Sequence, residues 1–271
     1  MTTRRKSTAQ VQVITLENDR SQTRGDVVAV EEPLEIRIGK KSIAVTMRTP
    51  GNDFELAAGF LFTEGVIKKT ADIRKIAYCD ADPQEYNVVT VTLGGQVDFD
   101  PKRLERHFFT TSACGVCGKA ALESIRVRTE PIQSEFKIST DMLYSLDATL
   151  RKTQAVFEKT GALHAAGLFD AKGELSSMRE DVGRHNGVDK VIGAALLENK
   201  LPLDRHVLMV SGRSSFEILQ KALVARIPII ASVGGPSSLA VDLANDFGMT
   251  LVSFLRGRRC NIYAGKQRIV R

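Results

Sequence analysis

Val207-Leu208-Met209-Val210, followed by Ser211-Gly212-Arg213-Ser214-Ser215, is a short apolar run that breaks into a small polar loop. The loop leads into a helical stretch that runs through Ala225. The arrangement recurs twice. Ile229-Ile230-Ala231-Ser232-Val233 gives way to Gly234-Gly235-Pro236-Ser237-Ser238 and a helical stretch to Phe247. Thr250-Leu251-Val252-Ser253-Phe254 then closes on Leu255-Arg256-Gly257-Arg258-Arg259. Buried-type runs alternating with helical stretches predict two β-α-β units, with parallel strands and right-handed crossovers. Ligands in such sheets gather at the carboxyl ends of the strands. Here those ends carry Gly212, Arg213, Ser214, Gly234 and the arginine-rich segment Phe254-Leu255-Arg256-Gly257-Arg258-Arg259. Helix N-termini attract anions and guanidinium groups suit phosphate. The edge is therefore a candidate site for a phosphorylated or nucleotide-like ligand. Neither a Gly-x-x-x-x-Gly-Lys-Ser/Thr loop nor a Gly-x-Gly-x-x-Gly fingerprint is present, which argues against ATPase and dinucleotide dehydrogenase chemistry.

Upstream the pattern is shorter and mixed. Pro33–Ile38 and Ser42–Met47 alternate apolar and polar residues around Gly39-Lys40-Lys41 and predict a hairpin. Pro50-Gly51-Asn52-Asp53 stops the sheet and offers Asn52 or Asp53 as a helix cap, with Phe54, Ala57, Phe60 and Leu61 on one face of the helix that follows. Asn87–Leu93 is a β-branched strand. These make a small α+β domain over residues 26–105, ahead of an α/β domain over 106–271. Leu143, Leu146, Leu150 and Phe157 mark one longer helix, and His164–Phe169 with Glu174–Met178 a second hairpin. His185, Val188, Ile192 and Ala195 begin another helix. Residues 1–25 hold five basic and two acidic residues without sustained periodicity, the pattern of a flexible basic tail.

The net charge of +6 sits mainly in that tail and in residues 255–271, which hold six basic residues and no acid. The body is slightly acidic, so the chain is not a uniform nucleic-acid coat. Trp is absent and only 6% of residues are aromatic, which leaves few stacking surfaces for single strands. No apolar run approaches the roughly 18 residues of a membrane span. The twin arginine Arg4-Arg5 is followed by polar residues rather than a signal-type apolar region. The expected setting is the cytoplasm, where paired cysteines work as thiols rather than as structural disulfides.

Those cysteines are the second informative feature. The chain has four, and two stand in Ala113-Cys114-Gly115-Val116-Cys117-Gly118. Such a pair cycles through a disulfide, holds half of a zinc site, or carries sulfur as a persulfide. Zinc needs a second close ligand pair, and Cys79 and Cys260 are each isolated, as expected of small buried strand residues. His107 alone does not complete a set. A deaminase site would need His-x-Glu ahead of Pro-Cys-x-x-Cys, and neither is present. Glycines on both sides suggest a mobile loop, which suits a carrier. Lys119 and a helix start beside Cys117 would favour the thiolate. Thiol-disulfide exchange stays open as the alternative. In Arg179-Glu180-Asp181-Val182-Gly183-Arg184-His185, the histidine is either a satisfied helix-start residue or a wall of the site. His164 is expected to be structural.

Taken in order, Ala113–Gly118, Glu180–His185 with Asp189-Lys190, and Ser211–Glu217 resemble the FdhD family of formate dehydrogenase accessory sulfur carriers. The likeness runs from about Glu31 to the C-terminus. It implies a homodimer whose C-terminal domain has a cytidine-deaminase-like fold without the zinc, and so no resident metal. It also implies sulfur accepted from a cysteine desulfurase as a persulfide. The sulfur would pass to the bis-molybdopterin guanine dinucleotide form of the molybdenum cofactor before that cofactor enters formate dehydrogenase. By position, Cys114 would bear the persulfide with Cys117 as its partner, making the chain a sulfurtransferase in molybdenum cofactor biosynthesis. Phe254–Arg259 would contact the cofactor, for which guanine nucleotides are the expected mimics.

Overall fold

The computed structural model describes residues 6–79, 86–97, 99 and 129–271. Cys114, Cys117, His107, Lys119 and the boundary expected near residue 105 lie outside the described residues. The architecture is the mixed α/β arrangement expected. A six-stranded sheet has the order β13-β12-β11-β10-β8-β9, and a four-stranded sheet the order β4-β3-β6-β5.

In the larger sheet, β10 (Val207–Val210), β11 (Ile229–Ser232) and β12 (Thr250–Arg256) are parallel. β8 (His164–Phe169) runs antiparallel to β10 and to β9 (Leu175–Asp181). The carboxyl ends of β9 to β12 and the start of β8 therefore share one edge. Helices α5 (Phe216–Val224) and α6 (Ser238–Asp246) make the two crossovers. β12 does not end in an open loop. It turns through Gly257, at positive φ, into the antiparallel strand β13 (Arg259–Ala264). The arginine segment is thus the tip of a hairpin. The stripe from Leu143 to Phe157 is broken at Gln154 into α2 (Thr140–Thr153) and α3 (Ala155–Thr160). The carboxylate of Glu180 accepts the Val156 and Phe157 N–H groups at 2.9 and 2.7 Å, capping the second piece. A short parallel pair joins β7 (Ile138–Ser139) to β14 (Ile269–Val270).

The smaller sheet contains the expected hairpin, β3 (Glu32–Ile38) and β4 (Lys41–Arg48), with β6 (Val88–Leu93) parallel to β3. It also contains β5 (Ile73–Tyr78), which the sequence pattern does not reveal. The helix after the hairpin, α1 (Asp53–Thr63), is buried almost all round at Leu56, Ala57, Ala58, Gly59, Leu61 and Phe62. It is sandwiched between its own sheet and α4 (Arg184–Leu197), so a one-faced stripe is the wrong expectation. One hydrophobic core joins Leu34, Ile36, Leu61 and Val89 to Val191, Ile192, Leu208 and Ile230. The segments expected as two domains share that core.

Of the segment expected as a flexible tail, residues 8–25 are not a featureless arm. β1 (Thr8–Glu17) and β2 (Arg20–Ala29) form a hairpin through Asn18-Asp19, both at positive φ, as a two-residue turn of the I′ kind requires. Its apolar residues fall on both faces, with Ile14 and Leu16 exposed and Val13 half-buried. The alternation that marks a half-buried strand is therefore missing.

The close approach of α1 and α4 rests on glycine. A Cβ on Gly59 would lie 1.9 Å from the Asp189 carbonyl oxygen, and one on Gly193 1.9 Å from that of Glu55. Alanine normally stabilises a helix interior by about 1 kcal/mol over glycine. Here Gly59→Ala or Gly193→Ala should instead cost about 3 kcal/mol through overpacking. Urea unfolding measures it, and an unchanged midpoint in both variants would contradict the crossing.

Candidate functional site

The three loops at the shared edge are hydrogen-bonded to one another. Gly234 N–H donates to the Gly212 carbonyl at 3.0 Å, Ser214 N–H to Gly235 at 3.2 Å, and Phe254 N–H to Gly234 at 3.3 Å. Gly212, Arg213, Ser214, Gly234 and Phe254 are thereby brought together, as the parallel-strand reading anticipates. Phe254 sits in a bulge of β12 at φ 55°, uncommon for a residue with a Cβ, and is 46% exposed. Its ring covers Gly235, where a Cβ would lie 2.7 Å from the ring.

The rest of the arginine segment divides. Leu255 is fully buried, packed with Val252 beneath α2, so its side chain belongs to the core. Arg258 pairs with Asp141 at 3.0 Å and lies over the Tyr144 ring, both on α2. Arg256 faces the charge of Asp147, on the same helix. Arg259 opens β13, opposite Arg256 in the register. The hairpin tip thus leans on α2, whereas Arg213 stays with the glycine loops.

His185 occupies the first turn of α4. Its Nε2 lies 3.1 Å from Ser215 Oγ and 2.7 Å from Glu217 Oε2, tying the start of α4 to the start of α5. The hydrogen bond from His185 holds the Glu217 carboxyl below its ordinary value. The ring keeps about a third of its surface open, so it both fastens a helix start and faces the site.

Most of the signature around it is structural. The Asp181 carboxylate accepts from Lys190 Nζ at 2.6 Å, Gly183 N–H at 2.8 Å and Asn186 Nδ2 at 2.9 Å. Lys190 Nζ also donates to the Thr49 carbonyl at 3.0 Å. Asp189 holds Lys221 at 2.8 and 2.9 Å and accepts from Thr63. These buried pairs fix α4 against α1, β4 and α5. Arg48, fully buried, binds Asp53 through two nitrogens at 3.1 Å. Removing one member of such a pair strands a buried charge, which costs about 3–5 kcal/mol.

Two residues at the edge, His164 and Arg184, are not among the site residues that the sequence suggests. His164 begins β8 with its ring against Gly212, 3.3 Å from where a Cβ would sit, and the Arg184 stem flanks the same glycine. His164 stands among cationic groups, because Arg184, His185 and Arg213 all bear on it. The sequence did hold one signal. α4 opens with Arg184-His185 and no acid in its first turn, the wrong sign for a helix N-terminus. Among the described residues, no group of three or more His, Cys, Asp or Glu could hold a metal ion. No helix among them is long and apolar enough to cross a membrane. Cys79, just past β5, and Cys260, on β13, are half-buried and free, and burial pushes the Cys260 thiol up.

Burial, then the Arg184, His185 and Arg213 charges, push the His164 pKa below the ordinary 6.5. The unfolded chain then binds this proton before the folded one does. Stability contributed here is present above pH 6.5 and falls as pH drops from 6.5 toward the folded value. The His164 ring should titrate below 6.5 by NMR, and its midpoint should rise in Arg213→Gln. A midpoint at or above 6.5 would refute the crowding of cations at this edge.

The sequence matches the FdhD/NarQ family over residues 29–270. A Streptomyces avermitilis protein named sulfur carrier protein FdhD is 50% identical over 268 residues, covering 95% of this chain and 94% of the relative. A Sulfurisphaera tokodaii protein of the same name is 42% identical over 263 residues, covering 96% and 98%. A crystal structure from Desulfotalea psychrophila, described as a formate dehydrogenase accessory protein, superposes with a TM-score of 0.78 at 28% identity. That match covers 98% of this chain and all of the other.

Proposed function

The chain belongs to the FdhD/NarQ family, and from that premise we propose that it is a sulfur carrier in formate dehydrogenase maturation. The observation that carries the reading is the near full-length match to relatives named sulfur carrier protein, in a chain whose one close thiol pair is Cys114 and Cys117. The partners are a cysteine desulfurase and formate dehydrogenase, the setting is the cytoplasm, and the working unit is a homodimer.

In the first step the Cys114 thiolate attacks the outer sulfur of the desulfurase persulfide. A new S–S bond forms on Cys114, and the desulfurase cysteine leaves as a thiolate. In the second step the Cys117 thiolate attacks Cys114 Sγ. The outer sulfur leaves as sulfide, two electrons come from the thiol pair, and Cys114–Cys117 becomes a disulfide. An external dithiol resets it. The sulfide goes to the substrate, the bis-molybdopterin guanine dinucleotide cofactor. The substrate's phosphates suit the edge of Gly212, Arg213, Ser214 and Gly234, beside His185. The exposed ring of Phe254 offers a flat apolar face for a guanine base. The cationic tip at Arg256, Arg258 and Arg259 would meet the substrate's outer anionic groups, and guanine nucleotides should compete for the same edge.

Incubation with a cysteine desulfurase and free cysteine should add the mass of one sulfur to the intact chain, removable by dithiothreitol and absent in Cys114→Ala. That variant should also abolish maturation of formate dehydrogenase while melting like the wild type. Disulfide cycling without sulfur uptake would overturn the carrier reading in favour of thiol-disulfide exchange.

A further inference from the structure

Among the described residues, the arginines drawn into the fold mostly find partners. Arg48 and Arg179 hold carboxylates, while Arg226 and Arg268 hold backbone carbonyls. Arg184 is the exception. It is half-buried, its Nε is cut off from solvent, and it makes no hydrogen bond or ion pair among the described residues. A buried guanidinium N–H without an acceptor costs free energy, so a fold that retains one is organised around an acceptor that arrives from outside.

Three further observations fall at the same place. Ser214, fully buried in the loop between Arg213 and α5, has a hydroxyl with no partner. α4 and α5 both begin without a side-chain cap, at Gly183 and Ser215, whereas Ser139 and Ser237 cap α2 and α6 with their hydroxyls. Arg213 extends into solvent from the loop that packs against His164 and Arg184, again without an acceptor. Glu217, in the first turn of α5, is the acid at this place and is already held by His185, so the remaining cations and orphaned donors beside the two uncapped helix starts call for a further anion. The hairpin tip is less suited to that task, because Arg258 already holds Asp141.

We propose that Arg184 and Arg213, with the open N-termini of α4 and α5, form a clamp for one phosphate or pyrophosphate group, set apart from the arginine hairpin tip. The clamp deepens the carrier reading and rests on it for the identity of the natural ligand. It places the diphosphate of a nucleotide-like substrate beside Gly212, against which the His164 ring and the Arg184 stem pack.

Isothermal titration with inorganic pyrophosphate and with GDP, at low salt and without metal, tests the clamp directly. Wild type should bind both. Arg184→Gln and Arg213→Gln should each weaken binding roughly ten- to hundredfold, the loss of a charge-assisted contact. Arg184→Lys should fall between. Lys200→Gln removes the same charge just past the far end of α4 and should leave affinity unchanged. Arg184→Gln should melt like the wild type, since the side chain has no partner to lose. Wild-type affinity in Arg184→Gln would overturn the clamp. A wild type that gains sulfur from the desulfurase but binds neither ligand would also overturn it, leaving the carrier reading intact. A wild type that binds pyrophosphate but never gains sulfur would support the clamp and sink the carrier reading.

Discussion

The crossing of α1 and α4 at Gly59 and Gly193 is the constraint on which the other parts depend. Backbone meets backbone there with no side chain between, so the two helices can hold only one spacing. Once α4 is seated, its first turn has a fixed address at the end of β9, facing the loops after β10 and β11. Arg184 and His185 are positioned by contacts at Asp189 and Gly193, further along the same helix.

Buried charge reinforces that seat. Asp181 with Lys190, and Asp189 with Lys221, surround α4 with directional bonds to Thr49, Asn186 and Thr63. Hydrophobic packing alone tolerates sliding between helices, whereas these bonds are lost if the register changes by a turn. The motif that carries the family likeness therefore serves two ends. Glu180, Asp181, Asp189 and Lys190 build the frame, and Arg184 and His185 are what the frame presents.

The glycine loops follow a similar logic. Gly212, Gly234 and Gly235 let three strand ends pack within hydrogen-bonding distance of one another. The space their absent side chains leave is taken by His164, Arg213 and the Phe254 ring respectively. An aromatic residue held at positive φ is costly, and it persists where the surroundings over-determine it. Here the bulge in β12 and the bare face of Gly235 do so.

Local order was legible in the sequence. Apolar runs separated by helical stretches gave β10, β11 and β12 as parallel strands, and the alternation around Gly39 gave the β3–β4 hairpin, because periodicity and turn chemistry are properties of neighbours in the chain. The β1–β2 hairpin was illegible because no core lies on either side to impose alternation, although Asn18-Asp19 marked its turn. The assignment of Leu255 to the core, of Arg258 to α2, and of His164 and Arg184 to the edge was decided only by the tertiary structure. Each depends on which distant element a side chain meets, and that was set by the register of packed helices and strands, about which residue order says nothing directly.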